Sequence, residues 1–240
     1  MTEQTANVRE RILQVAAELL AHGGREAVST RAVSAAAGVQ PPTIYRQFGD
    51  MRGLLDAVAR ETFATFVRRQ DTRQDVDDPI EALRRGWDLH IAFGLDHPAV
   101  YALISADPAA VVDASTWRQA YAMLHDLVER VAQAGRLRVS VPHAARLIAA
   151  AGDGVTRSLI ATPPAERDPK LSAAMREAVI AAITIAPASN DAPNDGRAAE
   201  RVVTYAVALR AVLPEAGSTL SEAEQRLLGE WLDQLANAGG

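Results

Sequence analysis

Residues 29–50 read STRAVSAAAGVQPPTIYRQFGD, two short helix-like runs with Gly38 between them. A residue joining two helices across a tight turn takes a left-handed backbone, which glycine adopts without steric cost. Ser29 is placed to cap the first run, with Val28 and Val33 flanking it as a hydrophobic staple. Gln40 stands before the second run, Val39 and Ile44 form its staple, and Pro41 occupies the first turn, where a missing N–H costs nothing. Pro42 disfavours a helical Pro41, so the cap falls at Gln40 or one residue later. Ser34 and Ala35 to Ala37 are small and let the two runs cross closely. Ala37, Val39, Ile44 and Phe48 supply an apolar seam. Neither run is long enough to persist alone, so the pair must rest on its neighbours.

With Ile44 and Phe48 inward, the second run turns Thr43, Arg46 and Gln47 outward and Tyr45 to its side. A thin rod of hydrogen-bonding groups with a blunt, proline-rich start is the form of a helix-turn-helix, whose second helix enters a DNA major groove. Arg46 can read a base or clamp a phosphate, Tyr45 and Thr43 suit phosphate oxygens, and Gln40 can reach a base edge. A helical corner with no DNA role accounts for the hairpin equally well when it is taken alone.

Working outward, Val8, Ile12, Val15, Ala16, Leu19 and Leu20 mark one face of a first helix, and Gly23-Gly24 reads as its stop. A longer helix starts near Asp50, a good N-cap, and runs past Phe66. The ordered set is an amphipathic first helix, a double-glycine stop, TRAVSAAAGV, PPTIYRQF and GDMRGLLDAV. Over roughly Val8 to Val67 it resembles the TetR family of transcriptional regulators. Over the remaining residues the likeness lies in an all-helical pattern and in length.

That resemblance implies an all-α fold with two domains. Residues 1–70 would form a three-helix helix-turn-helix DNA-binding domain, with a recognition helix at about 40–48 and a linking helix from 50. Residues 78–240 would form a larger helical domain for effector binding and dimerisation. It implies a homodimer on a palindromic operator of double-stranded DNA, a repressor released by a small organic effector, without a cofactor. Ser29, Thr30, Gln40, Thr43, Tyr45 and Arg46 match positions that usually touch the operator, Pro41 forms the blunt start beside them, and Arg9, Arg25, Arg31 and Arg52 are candidate phosphate contacts or plain surface arginines. Two places depart from the pattern. Gln40 stands where Ser or Thr is usual, and Met51 stands where the fourth helix usually carries a Lys, with Arg52 next to it as a replacement.

Beyond an acidic, turn-prone junction at Asp71 to Pro79, the chain reads as helix after helix. One helix places Trp87, His90, Ile91 and Gly94 on a face. Another, from Ser115, does the same with Trp117, Tyr121, Leu124, His125 and Val128, and Tyr101 lies between them. Such faces line an apolar effector pocket or pack as ordinary core. Arg157 sits four residues from Asp153, which suits an i,i+4 ion pair or a polar anchor for a ligand or a second subunit. Arg84 with Asp88 and Glu81 with Arg85 share that spacing. Gly152 and Gly154 suggest a helix packed closely on both sides, a candidate for the dimer interface together with Leu171 to Ile185 or Arg201 to Leu213. The stretch PASNDAPNDG reads as a loop, and Ser218 or Ser221 as the cap of the last helix.

The bulk numbers exclude more than they assign. The 240 residues carry a net charge of -5, but residues 1–70 hold nine Arg against seven acids, while the rest is acidic. There is no cysteine, hence no disulfide, thiolate nucleophile or thiolate zinc site. His90, His97, His125 and His143 never fall at HxxxH spacing, so no metal site is expected. No GxSxG, Gly-rich phosphate loop or dinucleotide fingerprint occurs, so no catalytic residue is expected. A helical enzyme and a DNA binder without ligand control are the competing readings. No secretory signal or membrane span is visible, which leads to the expectation of a cytoplasmic protein.

Overall fold

The computed structural model describes residues 3–70, 76–105, 115–185, 197–214 and 220–237, with side chains from residue 7 except at 67, 69–70, 115–117 and 197–201. Among them the elements are helices: α1 Glu3–Ala27, α2 Thr30–Ala37, α3 Pro41–Phe48, α4 Met51–Gln70, α5 Pro79–Asp96, α6 Pro98–Ser105, α7 Ser115–Gln133, α8 Val141–Ala161, α9 Leu171–Ile183, α10 Arg197–Val212 and α11 Glu222–Asn237. A single isolated bridge joins Leu137 and Thr184. The PASNDAPNDG stretch and Ser218 lie outside the described residues.

Packing gives two compact units. The first comprises Met1–Asp75, Ile91–Ala120 and Leu159–Ala161, and the second Val76–His90, Tyr121–Ser158 and Thr162–Gly240. The segment expected as the DNA-binding head, residues 1–70, lies in the first unit, which also takes in α6 and parts of α5, α7 and α8.

In the first unit α1 packs on α2, α4 and α6, and α3 packs on α2 and α4. Its core is built from Ile12, Ala16 and Leu20 of α1, Val33 of α2, Ile44 of α3, and Leu54, Leu55 and Val58 of α4, all buried. Ile44 is fully buried (0 % exposed), which anchors a helix of eight residues that has little stability of its own. Phe63 and Phe66 of α4 meet the Phe93 ring edge-on at 5.4 and 5.2 Å, and His97 stacks beside them. The first helical run breaks at Gly24, as the double glycine led us to expect. Helical geometry resumes to Ala27 after a break at Gly24, whose φ of 66° and ψ of -167° are open to glycine alone.

In the second unit an ion-pair clasp joins α5 to α9. Arg84 bonds both carboxylate oxygens of Glu177 and also Glu81, and Arg176 joins Asp88 to Glu177. The Arg84 and Arg176 bonds hold the Glu177 carboxyl below its ordinary range. The expected Arg84–Asp88 pair is therefore absent. Both members sit on α5, yet each finds a better-placed partner on α9. Asp153 does pair with Arg157, at 2.5 Å. Gly152 is buried, with Trp87 and His90 within van der Waals reach of a Cβ placed there, whereas Gly154 is exposed and borders open space. Close approach thus occurs on one side of α8, not both. The last helix opens on a capping box: Glu224 N–H donates to Ser221 Oγ, and Ser221 N–H to Glu224 Oε2.

Candidate functional site

The α2–α3 hairpin is held by contacts that each have a local cause. Ser29 Oγ accepts from Ala32 N–H at 3.2 Å, so the expected cap is made. Gly38 adopts φ 62° and ψ 38°, and its N–H returns to the α2 carbonyls. Gln40 is the cap residue of α3 but makes no side-chain capping bond. None is needed, because Pro41 and Pro42 carry no N–H and the Thr43 N–H donates to the Gln40 carbonyl at 2.9 Å. The unusual Gln at this place leaves its amide exposed beside the start of α3.

Three further contacts fix the angle at which α3 leaves the body. Arg11 Nε donates to the Ala37 carbonyl at 2.9 Å, satisfying the open end of α2. The Arg9 guanidinium lies over the Phe48 ring, 5.2 Å from its centroid. Asp50 Oδ1 caps α4 by accepting from Gly53 N–H at 2.7 Å. Gly53 is where α4 passes beneath the end of α3: a Cβ there would fall 2.1 Å from the Phe48 carbonyl oxygen. Gly53→Ala is therefore expected to displace α3 and cost about 1–3 kcal/mol, seen as a lower midpoint in urea unfolding. An unchanged midpoint would show that the backbone yields freely there.

The outer surface of this hairpin is polar. Ser29, Arg31, Gln40, Pro41, Arg46 and Arg52 are exposed, and Thr30 and Thr43 are half-buried. Tyr45 is 46 % exposed, and its hydroxyl lies 3.0 Å from Thr30 Oγ1, which fixes the phenol across the gap between α2 and α3. Thr43 and Arg46 open outward rather than into the protein. Among the arginines read as phosphate contacts, Arg9 is engaged with Phe48 and Arg25 reaches the Val28 carbonyl at 3.5 Å, while Arg31 and Arg52 are exposed on α2 and α4. Sequence reading missed Arg11, Gly53 and the Thr30–Tyr45 bond; the only visible signal was Gly in GDMRG, one turn into α4.

The residues read as effector contacts are divided between the two units. Ile91 and Tyr101 are buried in the first unit. In the second, Trp87 is buried and its indole N–H donates to Ser172 Oγ at 3.0 Å. His90 is largely enclosed, and that burial pushes its imidazole below its ordinary range against the opposing charge of Asp153. Tyr121 and His125 are half-buried and Arg157 is exposed; the Trp117 side chain lies outside the described residues. Of this set, His125 borders a half-open pocket of about 190 Å³ between α7, the start of α8, α10 and α11. Glu129, Arg210 and Asp233 also face it, and sequence spacing offered no way to bring those segments together. The ligating atoms of His125, Asp126 and Glu129 lie within 4.8 Å of one another, at a spacing other than HxxxH. No helix among the described residues is long and apolar enough to cross a membrane.

Residues 12–58 match the model of the bacterial regulatory proteins, tetR family. Over 70 residues the chain is 40 % identical to the class C tetracycline repressor protein of Escherichia coli, a match covering 29 % of this chain and 32 % of that protein. The chain thus spans about a third of the length of this curated relative. Among solved structures, a tetR-family transcription regulator from Shewanella sp. PV-4 superposes with a TM-score of 0.60 at 17 % identity, over 75 % of this chain and 99 % of that one. A transcriptional regulator from Saccharomonospora viridis, solved with choline, gives 0.61 at 16 % identity, over 75 % and 100 %. At those identities the solved structures establish a shared fold, while the sequence match is confined to the head.

Proposed function

We propose that this chain, which belongs to the TetR family of bacterial regulatory proteins, is a transcriptional repressor that binds a palindromic operator as a homodimer and leaves it when a small organic effector binds. The observation that carries this reading is the hairpin: α3 is anchored through Ile44 and turns Thr43, Tyr45 and Arg46 outward. A helix held by one buried face and polar on the other fits a major groove. Arg46 would read a base or grip a phosphate, Gln40 would reach a base edge from the blunt start at Pro41, and Ser29, Thr30, Arg31, Thr43, Tyr45 and Arg52 would hold the backbone.

Two heads require a two-fold interface, and α10 and α11 carry a suitable face. Val202, Tyr205 and Leu209 line one side of α10, with Tyr205 61 % exposed; Leu227, Trp231 and Leu235 line one side of α11, with Trp231 53 % exposed. Large apolar side chains left in water on two paired helices are what a second copy would cover. On that reading the later helix of the interface is α10, joined by α11. Effector binding within residues 78–240 acts by differential affinity for two states and shifts α4, whose Phe63 and Phe66 are tied to Phe93 and His97.

The Thr30–Tyr45 bond gives a quantitative check on the hairpin. Thr30→Val and Tyr45→Phe are each expected to weaken operator binding by about three- to tenfold, and the double variant no more than either alone, because the two hydroxyls act as one unit. Additive losses measured by titration would assign them separate roles. The function itself is tested by selecting bound duplexes from a random pool with the purified protein. A recovered palindrome supports the reading, and recovery of no preferred sequence under any salt condition contradicts it.

A further inference from the structure

We propose that the half-open pocket between α7, the start of α8, α10 and α11 binds a small organic cation, a protonated amine on an apolar body about the size of a benzene ring. Its volume of about 190 Å³ exceeds the roughly 150 Å³ of an apolar cavity known to hold benzene. Val207, Ala211 and Ala236 give it an apolar wall, and Glu129, Asp233 and Arg210 give it charge, with one carboxylate in excess.

The two carboxylates keep acceptor capacity for a ligand. His125 Nδ1 stands 3.9 Å from Glu129 Oε2, and Arg210 Nε stands 3.4 Å from both oxygens of Asp233. Close charge-assisted pairs run at about 2.7–2.9 Å, so both contacts are loose. Arg210 is meanwhile laid flat on α11, where Gly229 leaves room: a Cβ there would sit 3.4 Å from the guanidinium carbon. Arg210 lines the pocket beside the two carboxylates, and an ammonium donating to Glu129 and Asp233 would take the acceptor positions that these loose contacts leave. A divalent metal at His125, Asp126 and Glu129 is the competing occupant, but a hydrated ion makes no use of the apolar wall.

Isothermal titration of the full chain, without DNA, tests this with benzylamine, benzyl alcohol, benzoate and zinc chloride. Benzylamine is expected to bind about tenfold more tightly than the alcohol or benzoate. Glu129→Gln and Asp233→Asn should each cost about tenfold for benzylamine and nothing for the alcohol. Ala211→Leu, or Ala236→Val if that variant does not fold, should remove binding by filling the space. Benzoate binding as tightly as benzylamine, zinc binding in its place, no binding of the amine, or indifference to these substitutions would overturn the proposal. None of those results bears on the DNA reading, because no duplex is present.

Discussion

Arg46→Ala is expected to weaken operator binding by about 1–3 kcal/mol at each head. With two heads on one duplex, as proposed, the dimer would lose roughly thirtyfold to 25,000-fold. Arg46 is exposed on α3, and the helix is anchored through Ile44 on its other face. Removing the guanidinium therefore takes nothing from the core, and the thermal midpoint should stay within about 2 °C of the parent. If Arg46 reads a base, the loss falls on the operator while binding to unrelated DNA changes little; if it grips a phosphate, both fall together and the salt slope drops by about one per head. Fluorescence anisotropy with an operator and a scrambled duplex separates the two. Unchanged affinity for both would remove α3 from the interface.

The second large effect is on assembly. Trp231→Asp should convert the proposed dimer to a monomer at micromolar concentration. An aromatic anchor at the centre of an interface contributes about 2 kcal/mol or more. Two-fold symmetry counts it twice, for about a thousandfold in the dissociation constant. Burying a carboxylate in its place adds to the loss. Trp231 is 53 % exposed, on the side of α11 opposite the buried Leu232 and Ala236, so the protomer should fold as before. Tyr205→Asp on α10 should act in the same direction. Sedimentation velocity reads the mass directly, and a variant that sediments with the mass of the parent dimer would place the interface elsewhere. Loss of the dimer should also lower operator affinity without any change in the head, because one head makes half of the contacts.

What the chain discloses on reading and what it withholds follow from range. Ser29, Gly38, Pro41 and Asp50 each act within a few residues of themselves, through a cap, a left-handed turn or a missing N–H, and these were legible. The capping box at Ser221 and Glu224 is of the same kind. Features that depend on two distant segments were not. Nothing in the spacing tells that Arg11 will reach the Ala37 carbonyl, that Gly53 must pass beneath Phe48, or that Asp88 will take Arg176 and leave Arg84 to Glu177. Periodicity marked Trp87 and His90 as one face but could not say whether it bounds a ligand. Among the described residues, the Trp87 indole N–H donates to Ser172, and one open pocket lies where α7, α8, α10 and α11 meet. The double glycine was legible in the same way: the first helical run breaks at Gly24, and only a short turn follows to Ala27.

The central claim is that α3 enters a major groove at two places on one duplex. Dimethyl sulfate interference on the selected operator tests it directly, because guanine N7 lies in the major groove and adenine N3 in the minor groove. The expected result is two clusters of guanine interference related by the palindrome and separated by about 10 base pairs or a multiple of that. Interference at adenines alone, or at no base, would contradict it.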